Sequence, residues 1–142
     1  MTVKQISVFI ENREGRLKEV LRVLKEHGVN IISMSLADTT EYGLLRLIVN
    51  EPERGSNALL ENGFSGMTTD VFVVKLPHTA GSLQNILEIV AENNINIEYM
   101  YGLSVEGEDA SIVLKVKNLD KMAGVLRDNG IETMSTEELK KY

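Results

Sequence analysis

The 142-residue chain predicts an α+β protein built from two copies of one βαββαβ unit. Three observations carry that expectation: an internal repeat, strand-like and helix-like periodicities in the same order in both halves, and a composition typical of small folded domains. Sliding the chain by 66 positions lays GRLKEVLRVLKEHGVNIISM on GSLQNILEIVAENNINIEYM. Gly15 then meets Gly81, Leu17 meets Leu83, Leu21 meets Leu87, Glu26 meets Glu92 and Asn30 meets Asn96. After a one-residue insertion the offset becomes 67, and Val49 meets Val116, Leu59 meets Leu126 and Asn62-Gly63 meets Asn129-Gly130. Such self-similarity marks one supersecondary unit used twice, so two domains are expected, 1–70 and 71–142.

Within the first copy, QISVFI places Ile6, Val8 and Ile10 on one face, the period of a strand. Over 16–27, Leu17, Val20, Leu21 and Leu24 recur at helical spacing and Gly28 stops the helix. Strands follow at 30–37 and 44–49, joined through the polar DTTEYG turn, then a helix at 54–61 closed by Asn62-Gly63 and a last strand at 64–69. The second copy predicts elements at 71–76, 82–93, 96–105, 110–117, 120–128 and 131–135, and Ser-Thr-Glu-Glu from Ser135 opens a final short helix. This order is the ferredoxin-like arrangement, an antiparallel sheet with two helices on one face. Units of about 70 residues bury little surface alone, and an unpaired edge strand is a liability, so the two are expected to pack side by side. Phe9, Ile32, Met34, Ile48 and Met100 fall on the nominal outer face, which points to further burial by a second copy of the chain.

Composition narrows the function. Lys plus Arg is 15 against 21 Asp plus Glu, a net charge of −6 with no basic cluster for a nucleic-acid backbone. Without cysteine there is no disulfide framework and no thiolate site. Mean hydropathy is −0.07 and apolar runs are short, so no membrane span is expected. MTVKQISVFIEN lacks a signal peptide's continuous apolar core, which makes the cytoplasm the expected compartment. Nucleophilic catalysis needs a side chain activated by a neighbouring base, but the only histidines are His27 and His78, and His27 reads as an exposed residue at a helix C-terminus. Glu106, Glu108 and Asp109 read as a solvated hairpin, and no nucleotide-binding or hydrolase motif occurs. No enzyme activity, metal or cofactor is expected.

The feature that stands out is the first strand–helix turn of each copy, ENREGRL and PHTAGSL. Glycine there permits φ > 0 and close approach to the backbone, and the amides opening the helix carry the positive end of its dipole. Together they suit a small anion such as a carboxylate. Asn30 and Asn96 each open a second strand, in GVNI and NINI. ENREGRL followed by EHGVNI resembles the ACT domain, a small regulatory module of amino-acid metabolism, and most closely the serine-sensing module of phosphoglycerate dehydrogenases. The resemblance covers the chain twice. It implies an amino acid held between one module's loop and its neighbour's second strand.

On that resemblance Asn12, Gly15 and Asn30 match the loop asparagine, loop glycine and strand asparagine, and Gly81 and Asn96 match in the second copy. His78 replaces the loop asparagine, and Glu14 and Ala80 stand where proline is common, so the two sites are expected to differ. The candidate contacts are the loops, Asn12, Arg13, Glu14, Gly15, Arg16 and Leu17 with His78, Thr79, Ala80, Gly81, Ser82 and Leu83. The strand starts add Asn30, Ile31 and Ser33 with Asn96, Ile97, Glu98 and Tyr99. Ser33 and Ser35 align with Tyr99 and Tyr101, so one copy fills its interior with two rings where the other leaves room, or stacks them on a flat ligand. Glu98 falls on the opposite face, solvated or meeting an amine. The expected function is a non-catalytic amino-acid sensor acting as a homodimer. The alternatives are a regulatory subunit of an amino-acid biosynthetic enzyme such as acetolactate synthase, and a purely structural dimerisation module.

Overall fold

The computed structural model describes residues 1–11, 13–38, 41–103 and 110–142. The elements, in chain order, are β1 Val3–Glu11, α1 Arg16–Glu26, β2 Ile31–Asp38, β3 Tyr42–Val49, α2 Pro52–Glu61 and β4 Ser65–Lys75. They continue with α3 Ser82–Glu92, β5 Ile97–Leu103, β6 Ser111–Val116, α4 Leu119–Asp128 and α5 Thr136–Leu139. Two compact units form: Lys4–Thr69 with Thr136–Tyr142, and Asp70–Ser135 with Met1–Val3. Each therefore carries one repeat plus a few residues from the far end of the chain.

In the first unit the strand order is β2-β3-β1-β4, antiparallel in β1–β3 and β2–β3. Ile6, Val8 and Ile10 of β1 and Leu45, Leu47 and Val49 of β3 meet Val20, Val23 and Leu24 of α1 and Ala58 and Leu59 of α2 in one core. Of the helical stripe read from the sequence, α1 buries Val20 and Leu24 and half-buries Leu17 and Leu21, while Val23, outside that stripe, is fully buried. In the second unit the order is β4-β6-β5, and Phe72, Val74, Ile112, Leu114 and Val116 pack with Ile86 and Val90 of α3 and Met122 and Leu126 of α4. Both helices of each unit thus cover one sheet face.

Three departures from expectation have local causes. The strands expected at 64–69 and 71–76 are one continuous strand, β4, whose residues to Thr69 belong to the first unit and from Asp70 to the second. GMTTDVFVVK has no proline and only its leading glycine, so nothing interrupts extended backbone. The strand expected at 131–135 shrinks to the bridge Val74↔Thr133, flanked by Lys75 N–H to Glu132 O at 2.9 Å and Met134 N–H to Val73 O at 2.8 Å. The second helix starts at Pro52 rather than residue 54, with proline in the first turn where its missing N–H costs nothing. The expected turn residues 104–109 and Thr39 and Thr40 lie outside the described residues.

A fourth departure affects which face the second strands show. The register shifts between Ile31 and Ser33 in β2 and between Ile97 and Tyr99 in β5. Such a shift inverts every later side chain. Met34 pairs with Leu47 and Met100 with Leu114, both core residues, so these methionines stand on the helix side and not the outer face; at 40% and 42% they remain exposed. Ser33, Ser35, Tyr99 and Tyr101 instead pair with Ile48, Arg46, Lys115 and Val113 and face away from the helices. The tyrosines therefore do not fill the interior beneath the helices. Of the other residues expected outside, Phe9 is exposed and Ile48 is fully buried within the single chain.

Candidate functional site

Each unit has two ends, and the repeated features occupy both. At one end β1 gives way to α1 through Gly15, at φ 82° and ψ −10°, a left-handed conformation that an L side chain adopts only at a cost. Gly81 repeats it before α3, at φ 86° and ψ −3°. Neither helix has a side-chain cap; the first amide of each goes to a backbone carbonyl, Arg16 N–H to Arg13 O at 3.5 Å and Ser82 N–H to Thr79 O at 3.3 Å, and the next two amides are left to solvent or a ligand. A Cβ on either glycine would meet nothing within 4 Å, so the turn is required by backbone conformation and not by crowding.

The two turns are dressed differently. In the first, Arg13 N–H donates to Glu11 O at 2.8 Å and its guanidinium pairs with the Glu11 carboxylate at 3.3 Å, both side chains exposed. Arg16 turns back over its own unit: its guanidinium carbon lies 4.3 Å from the centre of the Phe64 ring, and its Nη1 donates to Glu19 Oε2 at 2.6 Å. Glu14 and Gly15 are exposed and Leu17 is half-buried against the core. In the second turn Thr79 N–H donates to Pro77 O at 2.9 Å, the Thr79 and Ser82 hydroxyls lie 2.8 Å apart, and Ser82 Oγ donates to Thr79 O at 2.9 Å. His78, Thr79, Ala80, Gly81, Ser82 and Leu83 line one open cleft of about 590 Å³. Asn12 lies outside the described residues.

The asparagines sit at the other end. Asn30 follows the C-terminus of α1, whose 11 residues span about 16 Å at 1.5 Å each. Asn30 N–H donates to Asn50 Oδ1 at 2.9 Å, Asn50 N–H to Asn30 O at 3.1 Å, and Asn50 Nδ2 to Tyr142 O at 3.0 Å. Asn50 thereby ties the start of β2 to the chain's last residue. Asn30 and Ile31 border a shallow cleft of about 360 Å³ with Lys25 and Gly28. In the second unit Asn96 borders a cleft of about 280 Å³ with Asn94, Lys117, Asn118 and Lys121, and Lys117 stands where the first repeat has Asn50. Ser33 and Ile97 are half-buried. Glu98, expected either solvated or meeting an amine, pairs with Lys115 on the adjacent strand at 3.3 Å.

Within one unit, then, the loop residues gather at one end and the asparagine stands a helix length away. Sequence reasoning passed over Asn50, which no local pattern marks, and Phe64, whose signal is an aromatic where the second repeat has Ile131. Among the described residues no three His, Asp or Glu side chains converge as metal ligands, and no helix is long and apolar enough to cross a membrane.

Comparison with known proteins adds three findings. A family model described as an ACT domain pair matches residues 1–142. Among solved structures, protein BT0572 from Bacteroides thetaiotaomicron is similar with a TM-score of 0.93 and 33% identity, covering 100% of this chain and 98% of that one. The ligand-free regulatory subunit of aspartate kinase from Thermus thermophilus shares the fold with a TM-score of 0.61 at 17% identity, covering 87% of each chain. Its counterpart from Thermus flavus reaches 0.57 at 16%, covering 87% of this chain and 88% of that one. No curated protein gives a match.

Proposed function

The chain belongs to the ACT domain family as a pair of such domains, and from that premise we propose that it is a non-catalytic regulatory protein that binds a free amino acid. The observation that carries the reading is the duplicated left-handed glycine, Gly15 and Gly81, each opening an 11-residue helix with no side-chain cap. The helix N-terminus attracts the ligand's carboxylate. An asparagine amide serves both halves of a zwitterion, its oxygen accepting from the ammonium and its nitrogen donating to the carboxylate. Because Gly15 and Asn30 stand about a helix length apart in their own unit, the loop of one module works with the asparagine of another. The modules are 1–70 and 71–142, the candidate contacts are the loop and strand residues given above, and the assembly is a homodimer acting in the cytoplasm. A metabolic enzyme regulated through it supplies the second state that ligand control requires.

The test is a thermal-shift panel of the twenty amino acids on refolded, ligand-free protein. A ligand at 100 times its dissociation constant adds about 2.7 kcal/mol of stability. One or two amino acids should raise the melting midpoint, and Asn12→Ala with Asn30→Ala should reduce the rise. A flat panel on a stable dimer overturns free amino-acid sensing and leaves a structural dimerisation module or a subunit that needs its partner enzyme.

A further inference from the structure

The two units differ most at the end that carries the glycine turn. In the second unit a cleft of about 640 Å³ lies between the first half of α3 and the segment 130–134. Ile86, Ile89, Ile131 and Met134 give it apolar walls, and Thr79, Ser82 and Asn85 border it with uncharged polar groups. Lys75 and Glu132 also line it, their charged ends 3.8 Å apart. Ser111 lines it too; its residue is 6% exposed and its hydroxyl donates to the Met134 sulfur at 3.8 Å, a weak acceptor.

The same backbone in the first unit carries Arg16, Glu19 and Phe64 where the second has Ser82, Asn85 and Ile131. There the Arg16 guanidinium lies on the Phe64 ring and pairs with Glu19, leaving the Arg16 side chain 16% and Phe64 4% exposed. That stack is a plug. Exchanging arginine for serine and phenylalanine for isoleucine withdraws two large planar groups, and the ion pair with them. The cleft's size falls in the range of small-molecule sites. Its single lysine is matched by a single glutamate, so it has no excess of positive charge for a polyanion and suits a ligand carrying one charge of each sign beside an apolar body.

We propose that this cleft, inside the second unit alone, binds a small aliphatic zwitterion, with the ligand's ammonium on Glu132, its carboxylate on Lys75, and its side chain among Ile86, Ile89 and Met134. That the zwitterion is an amino acid rests on the function proposed above; the cleft does not. Binding here needs neither Asn30 nor Asn96, and it gives one ligand per chain where two equivalent turns would give two.

The test is a titration of the full chain, labelled with ¹³C at isoleucine δ-methyls, with leucine, isoleucine, valine and methionine in turn. At least one should shift the Ile86, Ile89 and Ile131 methyls saturably, at one equivalent per chain. Building the first unit's plug into the second, Ser82→Arg with Ile131→Phe, should weaken that binding at least about tenfold. Ser82→Arg alone, at a half-buried helix start, serves if the double variant does not fold. Methyls that stay still with all four probes overturn the proposal, as does binding unaffected by either variant. Saturable binding that leaves these methyls still and is lost in Asn30→Ala overturns it while sustaining the function proposed above. A ligand found by the thermal panel together with still methyls separates the two in the same way.

Discussion

The two repeats share a backbone and differ in what they put at its ends. Both make the left-handed glycine turn and the 11-residue helix after it. The first then closes that end with Arg16 on Phe64 and ties the other end to Tyr142 through Asn50, whereas the second has Ser82, Ile131 and Lys117 at those places. Even on the strands, Ile32 and Ile48 of the first correspond to the ion pair Glu98–Lys115 of the second. The frame is repeated, and the side chains that close it in one copy are absent from the other. The lesson is that symmetry of fold does not carry over to symmetry of side-chain chemistry, and function is built from side chains.

The sharpest way to break this comparison is to remove the plug. Phe64→Ala is expected to cost about 3–5 kcal/mol, the range for a buried phenylalanine, against about 1–2 kcal/mol for half-buried Ile131→Ala, whose walls already border open space. Urea denaturation monitored by circular dichroism measures both, and equal losses would mean that the two ends are packed alike. Asn50→Ala should cost about 2 kcal/mol, one for each of two hydrogen bonds, while Lys117→Ala stays within about 0.5 kcal/mol as a surface change; the same melts decide it.

Shared features should respond equally. Gly15→Ala and Gly81→Ala each force a left-handed alanine, at 1–2 kcal/mol less the entropy that alanine removes from the unfolded chain, a net of about 1 kcal/mol in both. Unequal values would show that one turn is held by something its twin lacks. Least is expected of Glu98→Ala, whose partly exposed pair with Lys115 contributes no more than about 0.5 kcal/mol and fades with added salt. A loss that ignores salt would argue against an electrostatic origin.

Most of the frame was legible because it rests on periodicity: the stripe from Leu17 to Leu24 and the alternation of Ile6, Val8 and Ile10 predict the core they form. Met34 and Met100 were assigned to the wrong face because one extra residue in each second strand inverts the alternation, and the sequence carries no mark of a bulge. The junction was half legible, since the absence of breakers after Gly66 was visible but not that two strands would become one. At the candidate site the glycine turns could be read from residue type. The Arg16–Phe64 stack and the Asn50 bridge could not, because each joins positions 20 or more apart in the chain whose meeting depends on register and rotamer rather than on local pattern.

The exchange of chain ends between the units has a consequence for synthesis. Residues 136–142 complete the unit built from Lys4–Thr69, and Met1–Val3 belong to the unit made last. At about 5–20 residues per second, the ribosome adds the stretch between Thr69 and Thr136 in roughly 3–13 s, during which the earlier unit is missing its closing helix and the bond from Asn50 to Tyr142. A nascent chain is therefore finished in both halves at nearly the same moment. Early termination between residues 70 and 134 leaves neither half whole, so such a product carries two unfinished units rather than a sound single module.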